Sequence, residues 1–186
     1  MISGPGAGIT SSALHVAGLA GAICVGLVFV QAGASKWRHL RLMPGIVANY
    51  RLLPEPLVAP VARALPALEL ALGVALLAGG QRFAALPAIL LLWAFAAAMV
   101  FNLRRGRGHI DCGCGQSHLR QMLSWPLVWR NLVLSAIALP ALLPATAPNG
   151  LERATAIAGG AGLFLIILLF NAIGALAASP LTAKQS

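Results

Sequence analysis

The stretch that decides the fold is residues 83–109, FAALPAILLLWAFAAAMVFNLRRGRGH. Residues 83–103 carry no charged side chain, and Arg104, Arg105 and Arg107 follow directly. A helix that crosses a bilayer needs about 20 consecutive apolar residues, and arginine side chains favour the membrane–water interface. The stretch therefore predicts a membrane-spanning helix over about residues 83–103, ended by a charged loop.

The same pattern recurs along the chain, which is 59% hydrophobic and only 9% charged, against about 25% charged residues in a typical soluble domain. Four further apolar runs cover about residues 12–34, 57–79, 125–144 and 154–178. The 125–144 run is the weakest, because it contains Arg130, Asn131 and Pro140. The longest connections, 35–56 and 104–124, are too short to fold alone. We therefore predict an all-α integral membrane protein, with residues 1–186 forming one bundle of four to five transmembrane helices.

The first run has the length of a signal peptide, but residues 1–14 contain no Lys or Arg. A cleaved signal normally begins with a basic region. We therefore expect the first run to persist as a helix of the bundle.

The formal charge of +9 is distributed unevenly over the predicted loops. Arg82 and Arg153 stand on one side of a five-span bundle, whereas the other side carries Lys36, Arg38, Arg41, Arg51, Arg104, Arg105, Arg107, Arg120 and Lys184. Short loops rich in Lys and Arg stay in the cytoplasm. The charge thus predicts an outer N-terminus and a cytoplasmic 104–124 loop, and it indicates membrane topology rather than nucleic-acid binding.

Glu69 is the one acidic residue near the middle of a predicted span, in ALPALELALG. A carboxylate at that depth is costly, and such residues usually face the bundle interior, where they have a partner or take part in function. No basic residue lies within one helical turn of it. Two interpretations stay open: a functional carboxylate, or a hydrogen bond to another helix through Asn102, Asn131 or Asn171.

The densest chemistry of the chain is GHIDCGCGQSH, residues 108–118, which holds two of the three cysteines. A disulfide between Cys112 and Cys114 would close a tight ring, and strained disulfides are the labile or catalytic ones. Gly113 and Gly115 supply the backbone freedom for such a ring. The nearby arginines favour the reactive thiolate, whereas Asp111 opposes them or accepts a proton.

Three interpretations of this loop remain open. It is a redox-active dithiol, a metal site that adds His109 or His118 to the two thiols, or an inert pair in a glycine turn. Zinc sites usually show a wider cysteine spacing and a second ligand pair, which this chain lacks. The third thiol, Cys24, lies inside the first predicted span. It is either ordinary apolar packing or a relay that accepts a disulfide from Cys112 and Cys114.

Three segments together resemble the MauE family of methylamine utilisation membrane proteins, in the wider DoxX-like group of redox-associated membrane proteins. They are GLVFVQAGASKWRHL at 26–40, YRLLPEPLVAPVARALPALELALGVALLAGG at 50–80 and RRGRGHIDCGCGQ at 104–116. The similarity extends over about residues 20–135. It is carried by the spacing of "AG-SK", "LP-LE-LG" and "DCGCG".

The resemblance implies a membrane factor that matures methylamine dehydrogenase, whose periplasmic small subunit contains many disulfides. It implies a thioredoxin-like periplasmic partner, MauD, and a disulfide-rich client protein. Cys112 and Cys114 would then be the exchanging pair, shaped by Asp111 and Gly113, and Glu69 and Lys36 match polar positions of the family. The direction of electron flow stays open, with a quinone as one acceptor; Trp93, Trp125 and Trp129 either line its pocket or form an interfacial belt.

Two other functions compete with thiol–disulfide exchange. The chain could be a non-enzymatic subunit that docks its partner in the membrane, or a carrier of a metal or small solute that uses the His/Cys cluster and Glu69. The resemblance also conflicts with the charge distribution. A periplasmic partner should meet its thiols in the periplasm, whereas the arginines place the cysteine loop in the cytoplasm.

Overall fold

The computed structural model describes residues 5–110, 122–143 and 148–177. Every regular element in these ranges is helical, which confirms the predicted all-α class. The elements are α1 (Pro5–Arg38), α2 (Met43–Asn49), α3 (Glu55–Leu77), α4 (Gln81–Arg104), α5 (Trp125–Ala138) with a 3₁₀ extension (Leu139–Leu142), and α6 (Gly150–Ala177). The Cys112–Cys114 loop lies outside the described residues.

Five segments are long and apolar enough to cross a membrane: Ser12–Arg38, Glu55–Leu77, Gln81–Arg104, Trp125–Leu142 and Gly150–Gly174. Four of them (in α1, α3, α4 and α6) begin or end beyond the apolar runs, because polar and charged side chains continue the helix into the interface. The chain is thus a multi-pass membrane protein.

The span built on α5 changes helix type near its end. Pro140 has no amide N–H, so it cannot donate to the carbonyl one turn earlier, and its ring crowds the preceding turn. The α-helix ends at Ala138, and the chain continues as the 3₁₀ helix Leu139–Leu142. Together they complete an 18-residue span.

Helix α1 is the centre of the bundle and packs against α3, α5 and α6, while α4 packs against α3 and α5. Small residues make these approaches close. A Cβ atom on Gly73 of α3 would lie 2.8 Å from the carbonyl oxygen of Gly26 in α1. A Cβ atom on Gly160 of α6 would lie 2.7 Å from the carbonyl oxygen of Ala20. The two glycines therefore allow backbone-to-backbone contact on two sides of α1.

One end of the bundle carries the short helix α2 and the flanks of the cysteine loop. We call this end the loop face; it comprises residues 39–54, 105–110 and 122–124. Nη2 of Arg107 donates to the carbonyl oxygen of Asn49 over 2.9 Å. Because that bond joins the chain after α4 to the end of α2, the two connections meet at one face, as five alternating spans require.

Two clusters of buried apolar side chains fill the described bundle. The first lies among α1, α3, α4 and α5 and includes Cys24, Phe29, Leu76 and Leu92. The second lies next to the loop face and comprises Ala96, Met99, Ile110, Leu123, Leu127 and Val128, with Tyr50, Phe95, Val100 and Leu103 packed against it. The candidate site is built beside this second cluster.

Candidate functional site

Lys36 and Glu69 form an ion pair inside the bundle. Lys36 lies in the last turn of α1, Glu69 lies in α3, and their side chains are 6% and 1% exposed. The ammonium of Lys36 donates to Oε1 of Glu69. The two residues are 33 positions apart, so the pair exists only because α1 and α3 cross closely, as the glycine contacts between them allow.

Burying the charges of Lys36 and Glu69 inside the bundle costs free energy. Removing a charge from water costs several kcal/mol per ion, which a close partner of opposite charge offsets. The pair satisfies the expectation that Glu69 faces the interior with a partner, and the partner is the lysine of α1. The three asparagines make other bonds: Asn102 donates to the carbonyl of Ala98, Asn131 donates to the carbonyl of Leu127, and Asn171 accepts from Arg130.

Phe95 of α4 connects this pair to the second cluster. The Nζ atom of Lys36 lies 5.0 Å from the centre of the Phe95 ring, within the range of a cation–π contact. Phe95 also packs against the second apolar cluster. The charged pair, an aromatic ring and the cluster at the loop face are therefore contiguous.

A cavity of about 310 Å³ opens beside Lys36 and Phe95. Its walls come from α2 and the residues after it, from α3 and from α4. Apart from Lys36 and Tyr50 the lining is entirely apolar: Met43, Ile46, Val47, Leu52, Leu53, Val61, Leu65, Leu91, Ala94, Phe95, Ala98 and Met99. Its volume falls at the lower end of the range of small-molecule sites.

The two flanks of the cysteine loop are held against this region. The amide of Leu123 donates to the carbonyl oxygen of Ile110 over 3.0 Å, so the chain returns to the point it left. Both side chains are buried in the second cluster, with Met99 among their neighbours. Met99 also lines the cavity. The residues on either side of the segment that contains Cys112 and Cys114 therefore lie in the cluster that borders the cavity.

Arg107 fastens the upstream flank. Its Nη1 donates to Oδ1 of Asn102 over 3.1 Å, its backbone amide donates to the carbonyl of the same residue, and its Nη2 reaches Asn49. Arg105 stacks on Phe101, 3.8 Å from the ring centre. These two arginines thus have structural contacts, in addition to the positive field that they contribute near the loop.

Comparison with known proteins decides the family. The model of "Methylamine utilisation protein MauE" matches residues 14–144. A MauE protein of Paracoccus denitrificans is 43% identical over 168 residues, which cover 88% of this chain and 90% of that protein. MauE proteins of Paracoccus versutus and Methylorubrum extorquens are each 41% identical, over 81% and 76% of this chain and 83% and 78% of their own lengths. No solved structure matches the chain significantly.

The chain belongs to the MauE family. The resemblance of its three segments to that family is confirmed, and with it the assignment to the membrane proteins of methylamine utilisation. The matched region 14–144 contains the ion pair, the cavity and both flanks of the cysteine loop.

The predicted site residues of this MauE-family chain fall into three groups. Lys36 and Glu69 are brought together in the bundle. His109 is exposed at the loop face, one residue before the buried Ile110. The remaining loop positions, Asp111, Cys112, Gly113, Cys114, Gly115 and His118, lie outside the described residues, so their roles stay predictions.

Cys24 is fully buried in the first apolar cluster and forms no disulfide within the described ranges. It lies twelve residues before Lys36 on α1, which corresponds to about 18 Å along the helix axis. The flanks of the cysteine loop belong to the second cluster instead. This placement favours apolar packing for Cys24, and the relay stays a prediction.

Arg130 is a buried charged residue for which the sequence predicted no role. In the sequence it only weakened the assignment of residues 125–144 as a membrane span. Its side chain is 8% exposed, and Nη1 donates to Oδ1 of Asn171 over 2.8 Å, which joins α5 to α6. Its Nε atom is buried without a hydrogen-bond partner in the described part of the chain. Its position inside an otherwise apolar run was the available signal, since charged residues within spans normally face the bundle interior.

The tryptophans do not line the cavity. Trp93, Trp125 and Trp129 are each at least half exposed on the outer surface of the bundle. The aromatic side chains at the cavity are Phe95 and Tyr50 instead. Trp125 begins α5 and Trp129 lies one turn later, which favours an interfacial belt for these two, whereas Trp93 faces outward near the middle of α4.

The described residues provide no candidate metal site. No group of three His, Cys, Asp or Glu side chains in residues 12–110, 122–143 and 148–174 is placed to hold an ion. The ligands predicted for such a site, apart from His109, belong to the segment outside these ranges.

Proposed function

We propose that this MauE-family chain is a membrane thiol–disulfide oxidoreductase that helps to mature a disulfide-rich client, with Cys112 and Cys114 as the exchanging pair. A thiolate of the pair attacks a disulfide of a thioredoxin-like partner and forms a mixed disulfide. The second thiol then resolves it, which leaves an intramolecular disulfide in the chain and a dithiol in the partner. The reverse sequence of steps reduces the chain.

The observation that carries the proposal is the anchoring of the cysteine segment. Its flanks, Ile110 and Leu123, are joined by a hydrogen bond and buried against the cluster that contacts Phe95, which in turn lies beside the Lys36–Glu69 pair. The residues that flank the dithiol thus lie in the cluster that Phe95 joins to a buried ammonium, and a nearby cation would favour the thiolate. An inert glycine turn needs no such surroundings.

Resemblance to the family supplies the partner and client: a MauD-like thioredoxin-fold protein and the small subunit of methylamine dehydrogenase. The location that suits them is the bacterial inner membrane, with the partner in the periplasm. The relatives of the chain are themselves methylamine utilisation proteins.

Trapping of a mixed disulfide tests the exchange. In Cys112→Ser or Cys114→Ser, the remaining thiol lacks the neighbour that resolves the intermediate, so we expect a covalent complex with the partner that is stable without reductant and lost with it. Non-reducing electrophoresis followed by mass spectrometry measures it, and Cys24→Ala is the matched control, which should trap nothing.

A subunit that merely docks its partner would behave differently. It would co-purify with the partner after loss of both loop cysteines, and neither single variant would yield a covalent complex. That pattern would replace exchange with docking as the function of this chain.

Sidedness is a second expectation of the proposal. Arg38, Arg41, Arg51, Arg104 and Arg105 are exposed at or next to the loop face, and we infer from them that this face is cytoplasmic. Exchange with a periplasmic partner then requires that the thiol pair be reached through the bundle.

Membrane-impermeant maleimide measures the sidedness. We expect Cys112 and Cys114 to resist the reagent in intact cells and to react in inverted vesicles, whereas the buried Cys24 reacts in neither. Labelling in intact cells would reverse the topology and permit direct exchange in the periplasm.

A further inference from the structure

We propose that the cavity among α2, α3 and α4 is a binding site for a membrane quinone, with the quinone ring beside Phe95 and a ring carbonyl directed to Lys36. This inference rests on the proposed function, because the quinone would be the electron acceptor of the Cys112–Cys114 pair. The cavity itself is defined by described residues alone.

The wall of the cavity selects a lipophilic ligand. All of its lining is aliphatic, aromatic or thioether side chain apart from Lys36 and Tyr50. Val61 and Leu65 of α3 and Leu91, Ala94 and Ala98 of α4 border it and are themselves partly or fully exposed on the outer surface of the bundle. A ligand can therefore enter from the hydrocarbon phase between these two helices.

The polar end of the cavity selects an acceptor oxygen. Lys36 lines the cavity, and its ammonium is bonded to Glu69. An ammonium donates hydrogen bonds and accepts none, so the matching ligand atom is a carbonyl or an oxyanion. An acyl chain has no such atom at its end, whereas a quinone has a carbonyl on a flat ring that fits against Phe95.

The position of the cavity selects a redox ligand. Met99, Phe95 and Tyr50 line the cavity and also belong to, or pack against, the cluster that buries Ile110 and Leu123. The flanks of the dithiol segment and the cavity thus share one wall. A lipophilic ligand that accepts two electrons is the class that matches a dithiol segment whose flanks border the cavity.

The reaction balances as a two-electron exchange. The thiols of Cys112 and Cys114 lose two electrons and two protons and form one S–S bond. The quinone takes up both electrons and both protons and becomes a hydroquinone. The direction of the reaction is disulfide formation in the chain and then in its partner.

Photolabelling tests the site. The full-length protein in lipid nanodiscs is irradiated with an azido-substituted short-chain ubiquinone, with decylubiquinone as competitor, and labelled peptides are mapped by mass spectrometry. We expect label within 43–53 or 91–99, prevented by the competitor. Label spread over lipid-facing residues, or label that decylubiquinone does not displace, would overturn the assignment.

Paired variants sharpen the test. Ala98→Phe fills the cavity, and Ala97→Phe adds the same ring to the neighbouring position, which faces away from the cavity and is exposed. We expect Ala98→Phe to weaken competition by decylubiquinone about tenfold or more, since the added ring occupies the ligand's volume, while Ala97→Phe leaves it unchanged. Equal behaviour of the two would contradict the proposal.

A second pair guards against misfolding of the α4 variant. Ile46→Phe, from the α2 wall of the cavity, should weaken competition as Ala98→Phe does, and Ala48→Phe, at an exposed position of α2, should not. Photolabelling and the mixed-disulfide trap test the two proposals separately. Cys112→Ser keeps the cavity, so we expect it to be labelled by the azidoquinone as the parent chain is. If Cys112→Ser forms the mixed disulfide but neither it nor the parent chain is labelled at the cavity, the quinone inference fails and thiol exchange stands.

Discussion

Replacing Lys36 by Met, or Glu69 by Leu, is expected to destabilise the folded bundle by roughly 3–5 kcal/mol, because each single change leaves one buried charge without its counter-ion. Lys36 and Glu69 are 6% and 1% exposed, so water cannot compensate the remaining charge. The double variant Lys36→Met/Glu69→Leu removes both charges together. We expect it to recover most of the loss, to within about 1–2 kcal/mol of the parent chain.

Reversible unfolding in mixed micelles, followed by helix content, measures these free energies. Arg63→Met is the matched control, because Arg63 is an exposed charge on the same helix α3 and should change stability by less than about 0.5 kcal/mol. Single variants as mild as Arg63→Met would show that the Lys36–Glu69 contact contributes nothing. A double variant that folds but fails to mature the client would assign the pair a part in the chemistry as well as in the fold.

Changing either loop cysteine to Ser is expected to abolish maturation of the client, with active methylamine dehydrogenase falling to the level of a strain that lacks the gene. A serine hydroxyl forms no S–S bond, so the one remaining thiol can form a mixed disulfide but the chain can no longer resolve it and turn over. Both variants should still insert into the membrane, because the change replaces one sulfur atom by oxygen and leaves the five apolar spans untouched. Activity in extracts and the disulfide content of the small subunit measure the effect.

Cys24→Ala is the control for this experiment. Its side chain is enclosed by apolar neighbours, and we expect a modest loss of stability with full maturation of the client. Loss of maturation in Cys24→Ala, in protein that folds normally, would establish the intramembrane relay. Normal maturation in both loop variants would remove the dithiol from the function.

The polar interior was only partly predictable, for a reason that Glu69 makes clear. Its depth in an apolar run predicts that it faces inward and has a partner. Lys36 was singled out by the family pattern and counted among the loop charges, whereas the structure buries it in the last turn of α1. Which residue meets Glu69 depends on the rotation and crossing of α1 and α3. A pattern in either helix alone does not encode these quantities.

The sequence by itself determined the class of the protein: apolar runs of bilayer length, ended by arginines, leave a helical membrane bundle as the only arrangement that satisfies the backbone in lipid. It also determined the family, through motifs at matching intervals. Tertiary structure alone decided that Lys36 pairs with Glu69, that Phe95 joins them to the flanks of the cysteine loop, and that a cavity lies between α2, α3 and α4. The physical reason is that hydrophobicity is a local property, which can be summed along the chain. Ion pairs and cavities instead arise between helices that are distant in sequence. There, small residues such as Gly26 and Gly73 set how closely the backbones approach.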